Sequence, residues 1–102
     1  MKMDQLYQGD QYKVLKVKVP AGGRMPRHYA TSDAFVLVVR GTAELEFNNS
    51  KLILQPGMEF LIPCRKPHAL RITSEFEAYI VLGPAAEIEM VNALADRTQA
   101  VS

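Results

Sequence analysis

Apolar and polar residues alternate along most of this chain. The alternation is clearest over residues 42–47, where Ala43, Leu45 and Phe47 share one face and polar residues share the other. A period of two is that of a β-strand with one buried face. Residues 34–40 are apolar almost throughout, which indicates a strand covered on both faces. The pattern predicts strands over 13–19, 24–30, 34–40, 42–47, 51–55, 58–62, 68–72 and 76–82.

Residues that favour turns separate these strands. The corners are Pro20-Ala-Gly-Gly, Gly41, Asn48-Asn49-Ser50, Pro56-Gly57 and Gly83-Pro84. Short strands at intervals of roughly 8–12 residues are typical of an antiparallel sandwich or barrel. We therefore predict an all-β fold with one domain over residues 1–102 and a core at about 12–83.

The last part of the chain has a different pattern. Over about residues 85–96, Ile88, Val91 and Leu94 recur at helical spacing, and acidic residues lie near the start, where they suit the helix dipole. This pattern predicts one short C-terminal helix that packs its apolar side on the barrel.

Composition excludes several classes of function. The net charge is +1 and the 12 basic residues are scattered, so we expect no nucleic-acid partner. The apolar runs are too short to span a membrane, and the first residues are too polar for a signal peptide. The single cysteine, Cys64, forms no internal disulfide and gives no reason to expect an oxidising compartment. We expect a cytoplasmic protein without a membrane partner.

Two segments combine turn residues with the two histidines of the chain. In order, the residues are Gly22, His28 and Gly41 in the first segment, and Pro56, Gly57, Pro63, Pro67 and His68 in the second. Together they resemble the two motifs of the cupin superfamily, and the resemblance covers roughly residues 20–82. It implies a jelly-roll barrel, also called a double-stranded β-helix, with a cup inside.

The resemblance also implies a place for one divalent metal ion. In cupins two histidines and a glutamate of the first motif, with the histidine of the second, hold such an ion. His28 and His68 match the first and the last of these ligands, whereas Ala30 and Ala34 occupy the other two positions. The chain therefore retains two of the four ligands for Zn, Ni, Fe or Mn, which predicts weak metal binding.

A third ligand could come from Asp33 or Cys64. Asp33 is one residue from the missing glutamate, a shift that turns a side chain to the opposite face unless the strand bulges. Cys64 lies four residues before His68 on a loop. Alternatively, His28 and His68 bind no metal and form hydrogen bonds with neighbours or water.

Three functions compete. The first is small-molecule binding in the cup, with the candidate ligand-binding residues Arg27, His28, Tyr29, Phe60, His68 and Tyr79. The second, implied by the resemblance, is a metal-dependent cupin enzyme of the dioxygenase, isomerase or lyase type. The third is a purely interactive role through an exposed strand edge. Because the strand over residues 11–19 has apolar side chains on both faces, we expect it to pair with a second subunit in a homodimer.

Overall fold

The computed structural model describes residues 1–91, and their regular secondary structure is entirely β. These residues form ten strands: β1 Lys2–Gln8, β2 Lys13–Val19, β3 Arg24–Ala30, β4 Ala34–Arg40, β5 Ala43–Glu46, β6 Lys51–Leu54, β7 Glu59–Ile62, β8 His68–Ile72, β9 Phe76–Leu82 and β10 Ile88–Met90. The eight strands predicted from the alternation agree with β2 to β9. Within residues 1–91, no helix has the length and hydropathy of a membrane span.

The ten strands form two five-stranded antiparallel sheets. Sheet A has the strand order β1-β2-β9-β4-β7, and sheet B has the order β10-β3-β8-β5-β6. The chain crosses repeatedly between the two sheets, so strands that are distant in sequence become neighbours. This arrangement confirms the predicted jelly-roll architecture.

The core lies between the sheets and follows the period of two. In β2 the inner residues are Leu15, Val17 and Val19, and in β5 they are Ala43 and Leu45. Each of these side chains is buried, while the residues between them are more exposed. Burial of these apolar side chains is the main force that joins the sheets.

A glycine is required where the chain turns from β4 to β5. Gly41 has a φ of +79°, a left-handed conformation that other residues rarely adopt. A Cβ atom at this position would lie 1.9 Å from the carbonyl oxygen of Glu75. The glycine that ends the first motif is therefore needed for close contact between two segments of backbone.

Strand β1 was not predicted. Its presence means that the strand over residues 11–19 is not at the edge of its sheet, where the sequence analysis had expected it. Residues 2–8 pair with β2, and β2 pairs on its other side with β9. The strand over residues 11–19 is therefore interior to sheet A and has no free edge, contrary to the premise of the predicted dimer. The homodimer itself remains a prediction.

The predicted C-terminal helix is wrong over residues 85–91. Ile88–Met90 forms β10, which pairs with the free edge of β3. Ile88 packs against a small apolar cluster of the core, whereas Glu89 and Met90 are exposed. Hydrogen bonding to the edge of β3, together with burial of Ile88, outweighs the local helical spacing. The rest of the predicted helix, residues 92–96, lies outside the described residues.

Candidate functional site

The two histidines lie opposite each other in sheet B. Strands β3 and β8 are antiparallel neighbours, and His28 is the direct partner of His68. A shift in register between Met25 and His28 marks a bulge in β3. The bulge allows both of these residues to be buried although they are three positions apart. It thus aims His28 into the barrel beside His68.

The imidazole rings are in contact, and each is held by its own backbone. The ring centroids lie 4.3 Å apart with the planes inclined at 62°. Nδ1 of His28 is 2.7 Å from the carbonyl oxygen of Pro26, and Nδ1 of His68 is 2.8 Å from that of Lys66. A carbonyl oxygen only accepts hydrogen bonds, so each Nδ1 carries a proton and donates it. In the neutral ring, the lone pair is then on Nε2.

Both histidines are neutral at pH 7. Burial lowers the pKa of His28 below its ordinary value of 6.5, and the hydrogen bond to Pro26 only partly opposes this effect. Burial also lowers the pKa of His68, and the neighbouring His28 lowers it further. Two rings in contact cannot both become cations without repulsion. The pair therefore presents lone pairs and not positive charge.

The histidines line a small cavity whose other walls are apolar. The cavity has a volume of about 50 Å³. This volume is above the minimum of about 10–15 Å³ that a cavity needs to hold a water molecule. Its lining, apart from the histidines, consists of Val17, Met25, Val36, Leu45, Leu54, Phe60, Ile62, Leu70, Phe76, Ala78 and Ile80. The two imidazoles are thus the polar groups of an apolar cup.

Of the predicted ligand-binding residues, His28, Phe60 and His68 line the cavity. Arg27 and Tyr29 do not, because they flank the inward His28 and successive side chains of a strand point to opposite faces. Tyr29 instead donates a hydrogen bond from its hydroxyl group to Glu89, outside the cup. The assignment of Arg27 and Tyr29 to the cup is therefore corrected.

Tyr79 is also misplaced by the sequence prediction. On β9, Ala78 and Ile80 line the cavity, so Tyr79 between them points outward. Its ring lies 5.7 Å from the ammonium group of Lys16 on the outer face of sheet A. Tyr79 is therefore not a ligand-binding residue of the cup.

Asp33 and Cys64 contact each other's segments and do not line the cavity. A carboxylate oxygen of Asp33 accepts a hydrogen bond of 2.7 Å from the backbone N–H of Cys64. The thiol of Cys64 is 3.3 Å from the carbonyl oxygen of Thr31. These contacts fix the loop between β7 and β8 on the outside of the barrel. Neither residue is placed as the third metal ligand that the sequence suggested.

Ala30 and Ala34, at the two remaining ligand positions of the motif, belong to a separate part of the interior. They pack in a buried apolar cluster with Leu15, Leu82 and Ala86. Neither alanine lines the cavity beside the histidines. The positions that would supply ligands in a complete cupin motif are thus part of the packed core.

These residues do not fit a resident catalytic metal. Catalytic zinc sites use three protein ligands, and the facial iron site uses two histidines and a carboxylate. Residues 1–91 contain no group of three or more His, Cys, Asp or Glu side chains placed to hold a metal ion. His28 and His68 could supply two nitrogens, and the backbone hydrogen bonds at Nδ1 would orient them.

The sequence analysis missed the groups that support the histidines. Each Nδ1 bonds to the carbonyl oxygen of the residue two positions earlier, Pro26 or Lys66. The ring centroid of Phe47 lies 6.2 Å from that of His68, and the ammonium group of Lys66 lies 4.4 Å from the centroid of the Phe47 ring. The alternation over residues 42–47 puts Phe47 on the inner face, so its position near the histidines could have been predicted. The contacts with the carbonyl oxygens depend on backbone geometry and could not.

An antiparallel double-sheet barrel with inward histidines around a small cavity places the protein among the jelly-roll barrels. The sequence profile described as "Cupin domain" matches residues 15–82. The chain belongs to the cupin domain family. A comparison with curated protein sequences finds no significant match.

Solved structures show the same fold. A cupin superfamily protein from Desulfitobacterium hafniense DCB-2 superimposes with a TM-score of 0.74 at 21% identity, over 80% of this chain and 75% of that one. The polyketide cyclase RemF from Streptomyces resistomycificus gives a TM-score of 0.76 at 18% identity, over 88% and 70%. The DMSP lyase DddQ from Ruegeria pomeroyi DSS-3 gives 0.74 at 23%, over 80% of this chain but only 46% of that one. These similarities establish the fold.

Proposed function

We propose that this cupin binds a small neutral molecule, or the small neutral end of a larger one, in the cup that His28 and His68 line. The observation that carries this proposal is the pair of imidazoles whose Nδ1 protons are already donated to backbone carbonyls. The group left for a ligand is Nε2, which accepts a hydrogen bond in the neutral ring. A ligand with a hydroxyl or N–H group satisfies it.

The character of the cavity restricts the rest of the ligand. Its remaining walls are apolar, so a charged group would lose its hydration there without gaining a partner of opposite charge. A cavity of about 50 Å³ admits only a small group of ligand atoms. The expected ligand class is therefore a short aliphatic alcohol or amide, or a longer molecule that ends in such a group.

A matched pair of probes tests this hydrogen-bonding requirement. Propan-2-ol and acetone have the same number of heavy atoms, but only the alcohol can donate a hydrogen bond. We expect propan-2-ol to bind about tenfold more tightly, since an unsatisfied buried acceptor costs about 1–3 kcal/mol. Shifts of the histidine and Ile80 signals during NMR titration of each probe measure the two affinities.

Three variants show whether the histidines are responsible. In His28→Leu and His68→Leu we expect the preference for propan-2-ol to fall, because an apolar side chain accepts no hydrogen bond. Tyr79→Phe removes a hydroxyl group from the outer face and should leave the preference unchanged. Equal binding of the two probes by the unmodified protein, or a preference that survives both histidine variants, would refute the proposal.

The alternative is a metal-dependent cupin enzyme, for which the two adjacent imidazoles are the supporting observation. With two protein ligands, binding of Zn²⁺ or Ni²⁺ should be weak and reversible, and it should be lost as the pH falls below 6.5 through the lowered pKa values of the two histidines. Titration of each ion into chelator-treated protein, compared with His28→Ala and His68→Ala, tests this. Micromolar binding lost in both variants would support a two-histidine site. Stoichiometric metal that survives dialysis would favour the enzyme instead.

A further inference from the structure

A second opening in the barrel lies between strands β1 and β10, which are edge strands of the two sheets. It is a groove of about 420 Å³, larger than the cup. Its apolar residues are Met3, Leu15, Leu82, Ala86 and Ile88, and its polar residues are Gln5, Lys13 and Glu87. A groove of about 300–1,000 Å³ with apolar walls and a few polar groups has the usual form of a small-molecule site. None of these residues lines the cup, so the groove is a separate candidate site.

The apolar part of the groove is the accessible side of the smaller core cluster. Leu15, Leu82 and Ale86 are buried members of that cluster. Met3 on β1 and Ile88 on β10 pack against it and are only partly buried. Because both sheets end here at a strand edge, no further strand of residues 1–91 covers this surface. A ligand with an apolar part would remove it from water.

An ammonium group lines the groove. Lys13 begins β2 and shares the inward face with Leu15, because alternate residues of a strand point to the same side. Its Nζ donates a hydrogen bond of 2.6 Å to the carbonyl oxygen of Ala86, which fixes the position of the charge. An ammonium group has three N–H donors, so two remain for a ligand. Within residues 1–91, Lys13 has no partner in an ion pair.

A carboxylate group lines the groove as well. The backbone of Glu87 is held by Thr31, whose hydroxyl oxygen accepts a hydrogen bond of 2.9 Å from the N–H of Glu87. The N–H of Thr31 donates a second one, also of 2.9 Å, to the carbonyl oxygen of Glu87. In the described part of the chain, the Glu87 carboxylate forms no ion pair, although Lys13 contacts the preceding residue. The groove therefore carries one positive and one negative group that do not neutralise each other directly.

This combination selects the charge of the ligand. A simple carboxylate would be attracted by Lys13 and repelled by Glu87, and a simple amine would meet the opposite pair of effects. A zwitterion satisfies both groups, and an apolar side chain covers the rest of the groove. We propose that the groove between β1 and β10 binds an apolar amino acid of about the size of leucine, with its carboxylate at Lys13 and its ammonium at Glu87. This site does not depend on the function proposed for the cup.

Titration of the full chain with leucine and two matched probes tests the charge requirement. The probe 4-methylpentanoate lacks the ammonium group of leucine, and 3-methylbutylamine lacks its carboxylate. We expect each probe to bind about tenfold more weakly than leucine, because each loses a hydrogen bond between charged groups. Shifts of the Ala86 and Ile88 amide signals in NMR spectra measure the affinities and locate the ligand in the groove.

Two variants assign the charges to residues. Glu87→Gln should remove the preference for leucine over 4-methylpentanoate and keep the preference over 3-methylbutylamine. Lys13→Met should have the opposite effect. Because each variant changes one preference only, a general loss of structure does not produce this result. The matched control is Glu89→Gln, which should leave both preferences unchanged, since Glu89 bonds to Tyr29 and does not line the groove.

Thermal melting shows whether each variant is folded, and Glu87→Gln tests the proposal by itself if Lys13→Met is not. Leucine that shifts no signal of the groove at concentrations up to about 10 mM would overturn the proposal. Preferences that survive both Glu87→Gln and Lys13→Met would overturn it as well.

Discussion

Two regions inside the barrel differ in packing and in chemistry although they share a strand. His28 faces a small cavity, whereas Ala30, two residues later on β3, lies in a buried cluster with Leu15 and Leu82. The backbone is extended at both positions, so the difference comes from the side chains. The imidazole of His28 brings a polar ring to the cavity wall, whereas the methyl group of Ala30 has only apolar neighbours in its cluster.

This difference explains how a cupin barrel can keep a cup without a complete metal site. The alanines at positions 30 and 34 are integrated into the core, so their region contributes stability. The histidines remain beside a cavity and keep their orientation through the carbonyl oxygens of Pro26 and Lys66. The rest of the cavity wall belongs to the larger core cluster, so a ligand bound there, as proposed, would contact the main core and not the alanine cluster.

The largest effect should come from enlarging one alanine in each region. Ala30→Val adds two methyl groups to the packed cluster, and we expect it to lower the free energy of unfolding by about 1–3 kcal/mol. Ala78→Val adds the same groups at the wall of the cavity, where space exists, and should change the free energy by less than about 0.5 kcal/mol or stabilise the fold. Urea unfolding of both variants measures the difference.

Binding of propan-2-ol provides a second measurement on the Ala78→Val variant. Because the added methyl groups of Ala78→Val occupy cup volume, this variant should also lose affinity for propan-2-ol. Equal destabilisation by the two substitutions, with probe binding retained in Ala78→Val, would show that the two regions do not differ in packing.

A smaller effect is expected on acidification. Burial lowers the pKa of His28 and His68 in the folded state, so below the ordinary value of 6.5 the unfolded chain binds more protons. Stability should therefore be highest above that pH and fall as the pH decreases towards the folded-state pKa values. Glu77, whose pKa is lowered by Lys16, contributes only at more acidic pH, below its ordinary value of 4.5.

Urea midpoints at pH 7.5 and 5.5 measure the histidine contribution. The double variant His28→Leu and His68→Leu should show less dependence on pH in this interval, because the titrating groups are absent. An unchanged pH dependence in the double variant would assign the effect to other groups.

Most of the fold could be predicted because alternation is a local signal. It predicted β2 to β9, and it failed where long-range pairing decides the structure. Residues 2–8 are mostly polar and become β1 only by pairing with β2, while Ile88 and Val91 fit a helix as well as a strand until the edge of β3 is considered. Neither pairing can be read from the residues of the segment alone.

The candidate site was predicted in part. The motif pattern indicated His28 and His68, which the fold brings together. Tyr29 and Tyr79 could have been excluded from the cup lining by sequence alone. Successive side chains of a strand point to opposite faces, and each tyrosine is next to a residue that points inward. The bulge before His28 and the carbonyl groups that orient both rings depend on backbone geometry, which the side-chain pattern does not encode.

The central claim is that both histidines are neutral and accept hydrogen bonds through Nε2. Long-range ¹H–¹⁵N NMR of the imidazole nitrogens at pH 7.5 tests it directly, since protonated and unprotonated ring nitrogens resonate far apart. We expect both rings to be in the neutral tautomer protonated at Nδ1, with Nε2 shifting when propan-2-ol is added. Rings protonated at Nε2, or present as imidazolium cations, would contradict the account.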